Sequence, residues 1–289
     1  MIRRLALLAF FITGAASADV TVTDDAGRTV TLKAPARRIV SLAPNITDAL
    51  FAAGAGAYVV GTSRFSDYPA DAKKVAIVGD ATMIDLERIV GLKPDVIVVW
   101  RSGTPAAQVE KLSRLGIPIF YSETTRLADV APATRRFGTL AGTQDEANRN
   151  AAAFDASLAR LRGDYAGKAR LKVFYQIWDR PLMTIGHAQI IDDALDLCGG
   201  DNVFADLSQA APTVTREAVL ARNPDVIVSG DGGHDALASW RQSGFLSAVK
   251  HDNVFTIDAP TLALPSPSIL GSVDLLCHRL DDARRRSQR

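Results

Sequence analysis

Two stretches of the chain share one pattern of apolar and polar positions: LERIVGLKPDVIVVW, which begins at Leu86, and TREAVLARNPDVIVSG, which begins at Thr215. In each stretch a short amphipathic segment leads to a Pro-Asp pair, and an unbroken apolar run follows. Proline disfavours helical backbone in the residue before it, so each amphipathic segment is predicted to be a short helix that ends there. Apolar runs without alternation are typical of strands buried on both faces of a parallel sheet.

A second pair of similar stretches supports an internal duplication. TDALFAAGAG begins at Thr47 and DDALDLCGGD begins at Asp192, and both are typical of helix ends closed by glycine. Each of them precedes the repeated unit of its own half. Chance matching of short apolar words is the alternative, but two matches in the same order favour a chain with two similar α/β halves.

A long amphipathic segment lies between the halves. It begins at Thr143 with acidic residues and has apolar residues at steps of three and four: Ala147, Ala151, Phe154, Leu158 and Leu161. With an end at Gly167, this predicts a connecting helix of about 24 residues, about 35 Å long. The predicted organisation is an N-terminal α/β lobe over 19–142, the connecting helix over 143–167 and a C-terminal α/β lobe over 168–289. The alternation in VTVTDDAGRTVTL predicts a β-hairpin near the start of the first lobe.

The first 18 residues, MIRRLALLAFFITGAASA, are typical of a secretory signal. A basic start is followed by an apolar segment and a small-residue cleavage site, which predicts cleavage after Ala18. The alternative, a membrane anchor, is disfavoured because the apolar run is much shorter than the ~20 residues that a span needs. No cysteine lies near the cleavage site, so we expect no lipid anchor there.

Export makes the two cysteines of the chain informative, because the compartment is oxidising. Cys198 and Cys277 are expected to form one disulfide, closing a loop of about 80 residues that the chain-entropy model values at roughly 4 to 5 kcal/mol. Two buried free thiols are the alternative.

Composition and motifs narrow the class of function. A net charge of +1 gives no indication of a nucleic-acid or anionic-membrane partner. Phosphate-loop, nucleophile-elbow, zinc-protease and Cys-x-x-Cys patterns are all absent. None of the four histidines lies in the first half, which disfavours a metal ion held between two lobes. One of them, His187, is a candidate ligand for a metal inside a bound cofactor, with an ordinary loop histidine as the alternative.

Aromatic and cationic side chains follow several predicted strands. Ligands of open parallel sheets collect beyond the carboxyl ends of the strands. The side chains at such positions are Phe65, Tyr68, Trp100, Arg101, Trp178, Arg180 and Met183. Each one alone fits surface packing, but together they predict a cleft that holds a large, flat ligand.

The repeated glutamates, Glu87 and Glu217, fall in the first turn of their predicted helices. A carboxylate there complements the helix dipole, which is a sufficient local explanation. Their equivalence in two halves also suggests two acidic contacts for a two-fold partner.

The chain resembles the periplasmic substrate-binding proteins of ABC importers, in the group that handles cobalamin, haem and iron-siderophores. The resemblance covers nearly all of the exported part, and the segments that carry it are RRIVSLAPNITDALFAAG, SRFSDYP, LERIVGLKPDVIVVW, LCGGDNVF and TREAVLARNPDVIV. It implies the helical-backbone fold, with two lobes joined by one long helix and the ligand between them. It also implies that Glu87 and Glu217 contact arginines of the permease, and that Cys198 and Cys277 are bonded.

The aromatic set of the cobalamin-binding members is only partly kept. Trp100 is retained and Phe65 replaces a tyrosine, whereas Ala81 and Ala211 replace tryptophans and Met183 replaces a phenylalanine. The late loop, in which Thr261 and Leu264 are further expected contacts, lacks the Asp-Trp pair and the arginine of those members.

The resemblance implies a carrier without catalytic chemistry or catalytic cofactor. It is expected to work as a periplasmic monomer that delivers a corrinoid, cobalamin or a cobinamide-like relative, to a permease dimer with its ATPase. Arg64, Arg101 and Arg180 are candidate partners for amide or phosphate groups of that ligand. Haem or a ferric siderophore is the alternative ligand, and an exported enzyme on the same scaffold is an alternative of another class.

Overall fold

The computed structural model describes residues 19–230 and 236–288. The predicted signal segment, residues 1–18, lies outside these ranges, and so does His234. The first described element is an antiparallel hairpin formed by β1 (Val20–Thr23) and β2 (Thr29–Leu32), which confirms the predicted hairpin.

The N-terminal sheet has five parallel strands in the order β5-β4-β3-β6-β7. Its strands are β3 (Ile39–Ser41), β4 (Val59–Thr62), β5 (Ala76–Ile77), β6 (Val96–Trp100) and β7 (Ile119–Ser122). The apolar run of the first repeat forms the first four residues of β6, 96–99, which are completely buried. The unbroken apolar run is therefore explained, as predicted, by burial on both faces of the sheet.

The C-terminal sheet has the order β10-β8-β11-β12, all parallel, with a short strand β9 antiparallel to β8. Its strands are β8 (Leu171–Trp178), β9 (Met183–Thr184), β10 (Gly200–Asn202), β11 (Val226–Ser229) and β12 (Val254–Thr256). The second repeat provides β11, which pairs with β8 as β6 pairs with β3.

The repeated Pro-Asp pair has the same structural role in both sheets. The Asp95 carboxylate accepts hydrogen bonds from the backbone N–H groups of Arg37 and Arg38, just before β3, at 2.8 and 2.9 Å. The Asp225 carboxylate accepts one from the N–H of Lys172, in β8, at 3.0 Å. Each aspartate thus ties the start of its own strand to the neighbouring strand, which explains its recurrence.

The described helices lie on both faces of the two sheets. They are α1 (Pro44–Ala52), α2 (Leu86–Gly91), α3 (Ala106–Ser113), α4 (Leu127–Ala141), α5 (Gln144–Tyr165), α6 (Ile190–Leu197), α7 (Arg216–Arg222), α8 (Ala238–Arg241), α9 (Ser247–Lys250) and α10 (Ile269–Ser287). The repeated helices α2 and α7 begin in the same way. The side chain of Asp85 caps α2 and that of Thr215 caps α7, each accepting a hydrogen bond from a backbone N–H three residues on.

Helix α5 occupies 22 residues of the segment in which a connecting helix was predicted. Helix α4 packs along it, so the passage between the sheets is a pair of helices. The first turn of α4, with Leu127 and Val130, belongs to the core of the C-terminal sheet, while Phe137 and Leu140 belong to the core of the N-terminal sheet. Helix α4 therefore contributes to both cores, and α5 packs beside it.

Cys198 and Cys277 form a disulfide, as predicted, with their Cα atoms 4.7 Å apart. The bond joins the end of α6 to the middle of α10. Beside it, the buried guanidinium of Arg284 donates to the carbonyl oxygens of Cys198, Gly199 and Ala169. Among the described helices, none combines the length and apolar character that crossing a membrane requires.

Candidate ligand-binding site

The loops at the carboxyl ends of β3, β4, β5 and β6 form a cavity of about 350 Å³, which we call the N-terminal pocket. Its lining residues are Leu42, Ala43, Pro44, Ser63, Arg64, Phe65, Asp80, Ala81, Thr82, Ile84, Trp100, Gly103 and Thr104. The predicted residues Phe65 and Trp100 thus lie in one pocket, together with Arg64. The lining is mostly apolar, which suits a large ligand with extended apolar faces.

The indole of Trp100 is held in one orientation by Glu123. Its Nε1 donates a hydrogen bond to Oε1 of Glu123 at 3.0 Å, and Ser102 donates to both oxygens of the same carboxylate at 2.9 and 2.8 Å. The backbone N–H of Glu123 in turn donates to Asp25, at the tip of the hairpin, at 2.7 Å. The ring lies against Gly103, where a Cβ would overlap it. Only glycine permits this close approach.

Phe65 presents its ring to the pocket from a left-handed backbone conformation, with φ of 65°. This conformation costs a non-glycine residue about 1 to 3 kcal/mol, and the ring is 73% exposed. A hydroxyl network under the loop fixes it, in which Thr47 bonds Ser41 at 2.8 Å and Ser66 at 3.2 Å. An exposed aromatic ring held at a conformational cost is typical of a binding position.

A tight turn closes the rim of this pocket. Asp80 accepts hydrogen bonds from the N–H and hydroxyl of Thr82 at 2.8 and 2.6 Å and from the N–H of Met83 at 3.0 Å. These bonds, with a smaller contribution from Arg64, lower the pKa of Asp80 to about 2.

A second cavity of about 260 Å³, the C-terminal pocket, lies at the carboxyl ends of β8, β11 and β12. Its lining residues are Tyr175, Gln176, Ile177, Gln189, Ile191, Gly230, Ala259, Pro260 and Ala263. None of these described residues is charged. Burial raises the pKa of Tyr175 to about 12, because the phenolate would lose its hydration, so the hydroxyl stays protonated near neutral pH.

Direct hydrogen bonds join elements of the two sheets. The buried carboxylate of Asp48, in α1, accepts from the hydroxyl of Ser268 at 2.9 Å and from its N–H at 3.1 Å. The carboxylate of Asp193, in α6, accepts from the N–H of Leu127 at 2.8 Å. The two bonds to Asp48 link the sheets directly, whereas the bond to Asp193 holds α6 against the helix α4 that both cores share.

The other predicted contacts are distributed more widely. Tyr68 and Arg101 are exposed at loops near the N-terminal pocket but outside its lining. Trp178 is 55% exposed and its Nε1 donates to the carbonyl of Arg180 at 3.0 Å, while the guanidinium of Arg180 pairs with Asp179 at 3.0 Å.

The late-loop residues and Met183 are partly or fully enclosed. Thr261 is buried, and its hydroxyl donates to the carbonyl of Ser268 at 2.9 Å and bonds the hydroxyl of Ser272 at 2.7 Å. Met183 and Leu264 are half-buried and line neither pocket, whereas the neighbour Ala263 lines the C-terminal one. The hydroxyl of Thr261 is therefore already occupied in holding this loop.

Glu87 and Glu217 are exposed in the first turns of α2 and α7. Within residues 19–230 and 236–288, neither carboxylate forms a hydrogen bond or an ion pair. Two exposed acids without local partners, at equivalent places on the two sheets, are available to contact another protein.

His187 lies away from both pockets, at an exposed groove with Arg126, Asp192, Asp193 and Asp196. In the part of the chain that the structure describes, no three His, Cys, Asp or Glu side chains are placed to hold a metal ion.

Several residues in or beside the two pockets were not recognised from sequence. Tyr175 lies within an apolar strand and has the pattern of a core residue, and Gln189 and Glu123 belong to no motif. Asp80 and Gly103 were likewise not singled out, because their roles depend on which loops meet in space.

Known proteins agree with this architecture. The family model of periplasmic binding proteins matches residues 39–261. A vitamin B12-binding protein of Pectobacterium carotovorum subsp. carotovorum (strain PC1) is 35% identical over 246 residues, covering 84% of this chain and 88% of that protein. The crystal structure of periplasmic vitamin B12 binding protein BtuF of Vibrio cholerae is 34% identical, with a TM-score of 0.80 over 86% of this chain and 98% of that one.

A haem-binding relative shares the fold alone. The periplasmic heme-binding protein RhuT from Roseiflexus sp. RS-1 is 23% identical, with a TM-score of 0.74 over 86% of this chain and 98% of that one. The predicted α/β fold class is thus confirmed, and this chain belongs to the periplasmic binding protein family.

Proposed function

We propose that the protein is the solute-binding component of an ABC importer and that it carries a corrinoid, cobalamin or a cobinamide-like relative. The observation that carries the proposal is the N-terminal pocket, in which Trp100 and Phe65 present ring surfaces among mostly apolar neighbours. The names of relatives at 34% and 35% identity over most of the chain support the same ligand.

The ligand lies between an N-terminal lobe (19–142) and a C-terminal lobe (168–289) joined by the segment 143–167, with one pocket on each side. Trp100 and Phe65 cover one face of the corrin ring, and Arg64 meets a polar group at its edge. Tyr68, Arg101, Trp178, Arg180, Met183 and Leu264 complete the rim of the cleft, and Thr261 supports the late loop. The role is binding and release, without a covalent step.

Delivery takes place in the periplasm after cleavage of the signal behind Ala18. Glu87 and Glu217 each meet basic residues of one permease subunit, so that a monomeric carrier contacts both halves of a two-fold transporter with its ATPase. Their exposure and their lack of partners among the described residues support this role.

Haem is a weaker candidate on chemical grounds. Haem iron takes axial ligands such as His or Tyr. The described linings of the two pockets contain no histidine, and their one tyrosine, Tyr175, has a raised pKa that disfavours the phenolate.

Calorimetric and absorbance titrations with cobalamin, cobinamide and haemin test the proposal. We expect one-to-one binding of a corrinoid, weakened at least tenfold by Trp100→Ala, because truncation of a stacked aromatic removes a large contact area. Phe245→Ala, which removes an exposed ring outside both linings, is the matched control and should leave the affinity unchanged. Haemin binding with a shifted Soret band, together with no detectable binding of either corrinoid, would overturn the proposal.

A further inference from the structure

The C-terminal pocket is lined by a tyrosine hydroxyl that pairs with none of the described residues. Tyr175 is only 4% exposed, and its ring packs in the core of the C-terminal sheet. Its carbonyl oxygen accepts a hydrogen bond from Thr184, but the hydroxyl forms none with the residues of 19–230 and 236–288. The hydroxyl is not among the fully buried unpaired atoms of the described residues, so it borders the open space of the pocket. An unpaired donor at a pocket wall is therefore available to an acceptor group of a bound ligand.

Gly230 keeps this hydroxyl open to the pocket. It directly follows β11, and a Cβ built on it would overlap the Tyr175 hydroxyl, whereas the nearest ring carbon, Cζ, would be at an ordinary 3.5 Å. The absence of a side chain at position 230 is thus required by the hydroxyl and not by the ring.

A second donor lines the same cavity. The side-chain oxygen of Gln189 accepts a hydrogen bond from the N–H of Ile191 at 3.1 Å, at the start of α6. With the oxygen engaged, the amide presents its NH₂ group, which forms no hydrogen bond within the described ranges. The pocket therefore offers two neutral donors among apolar neighbours.

The surrounding charges select the kind of acceptor. None of the described lining residues carries a positive charge to balance an anion, and Asp192 and Asp193 lie in the first turn of α6. Burying a carboxylate without a cation is costly, whereas a neutral carbonyl gains a hydrogen bond at little cost.

We propose that Tyr175 is a specificity-determining residue that donates its hydroxyl to a carboxamide oxygen of the bound ligand, with Gln189 as the second donor. This rests on the proposed function and deepens it. Corrinoids carry carboxamide side chains around the ring, whereas haem carries carboxylates. The C-terminal pocket thus binds carboxamide side chains at the edge of the ring, while the N-terminal pocket covers one face of the ring.

The test is a titration of wild-type protein, Tyr175→Phe, Gly230→Ala and the double variant with cobalamin and with cobinamide, which keeps the ring carboxamides but lacks the nucleotide. Tyr175→Phe removes one oxygen and leaves the ring in the core, so the fold is retained. We expect its affinity for both ligands to fall about 3- to 15-fold, as for loss of one buried hydrogen bond. Gly230→Ala weakens binding in the wild-type background but adds no further loss in the phenylalanine background.

The outcomes separate the two proposals. Wild-type protein that binds neither corrinoid overturns the proposed function and this inference with it. Corrinoid binding that is equal in wild-type protein and Tyr175→Phe overturns the role of Tyr175 and leaves the proposed function standing. A loss confined to cobalamin overturns the carboxamide assignment, because it places the contact on the nucleotide.

Discussion

Asp48 and Ser268, 220 positions apart in the chain, are joined by a two-point hydrogen bond from the N–H and hydroxyl of Ser268 to the two carboxylate oxygens of Asp48. Asp48 lies in α1 beside the N-terminal sheet, and Ser268 immediately precedes α10 on the C-terminal sheet. The bond fixes the spacing of the two pockets, because α1 begins at the wall of one and the late loop forms part of the other.

Removing this link is expected to loosen the contact between the two sheets. Asp48→Ala leaves the partly buried N–H of Ser268 unpaired and should lower the free energy of unfolding by about 1 to 3 kcal/mol. Ser268→Ala keeps the backbone bond and should cost less. Denaturant unfolding measures both, and hydrogen exchange at the start of α10 locates the effect. Equal stability of Asp48→Ala and wild-type protein would contradict the link.

Glu123 should act on the ligand through Trp100. Glu123→Ala frees the indole, so we expect several-fold weaker corrinoid binding and stronger acrylamide quenching of its fluorescence. Glu123→Gln keeps an acceptor oxygen for Nε1 and should restore most of both. The measurement is made in Trp178→Phe protein, which leaves Trp100 and the buried Trp240 as emitters. A quenching constant that does not change in Glu123→Ala would refute this positioning.

The turn at Asp80 should give ligand binding an acid limit. Its folded pKa, about 2, lies below the ordinary value of 3.8. Its contribution to the free energy of unfolding is therefore fully present above pH 3.8 and is lost as pH falls through about 2. In the folded protein the carboxylate takes up its proton only near pH 2, so affinity at the N-terminal pocket should stay level down to about pH 3 and fall as pH approaches 2. Asp80→Asn should lack this step. Asp71→Asn, whose carboxylate pairs with Lys74 outside both pockets, is the control and should keep it.

Loss of the disulfide should affect stability much more than specificity. The double variant Cys198→Ser, Cys277→Ser releases a constraint on a long loop. Its free energy of unfolding should be lower than that of the wild-type protein by about 2 to 5 kcal/mol. Urea titration measures the change. Corrinoid affinity at a temperature well below unfolding should be unaffected, since neither cysteine lines a pocket. A large loss of affinity in the folded variant would show that the bond also shapes the cleft.

The two exposed glutamates should be needed for transport and not for binding. Glu87→Lys and Glu217→Lys are expected to keep corrinoid affinity and to abolish stimulation of ATP hydrolysis by the reconstituted transporter, because each reverses one contact charge. Glu110→Lys, exposed on α3, is the matched control. Full stimulation by the double glutamate variant would remove these residues from the docking surface.

The sequence by itself determined the repeated architecture. The apolar runs at residues 96–99 and 226–228 are typical of inner strands, and the prolines before them end the preceding helices, so two parallel sheets were predicted from local patterns. The two cysteines of an exported chain determined their own pairing. The place of Trp100 and Phe65 in one pocket was predictable because both lie at the carboxyl ends of strands, and their role in binding stays a prediction.

Only the tertiary structure decided what surrounds those residues. Glu123 supports Trp100, and Ser268 meets Asp48, through contacts between segments that no spacing rule connects. Tyr175 has the sequence pattern of a core residue. Its hydroxyl becomes part of a pocket only because β8 lies beside Gly230 in the folded protein. Strand and helix patterns depend on near neighbours in the chain, whereas a binding pocket depends on which loops the folded sheets bring together.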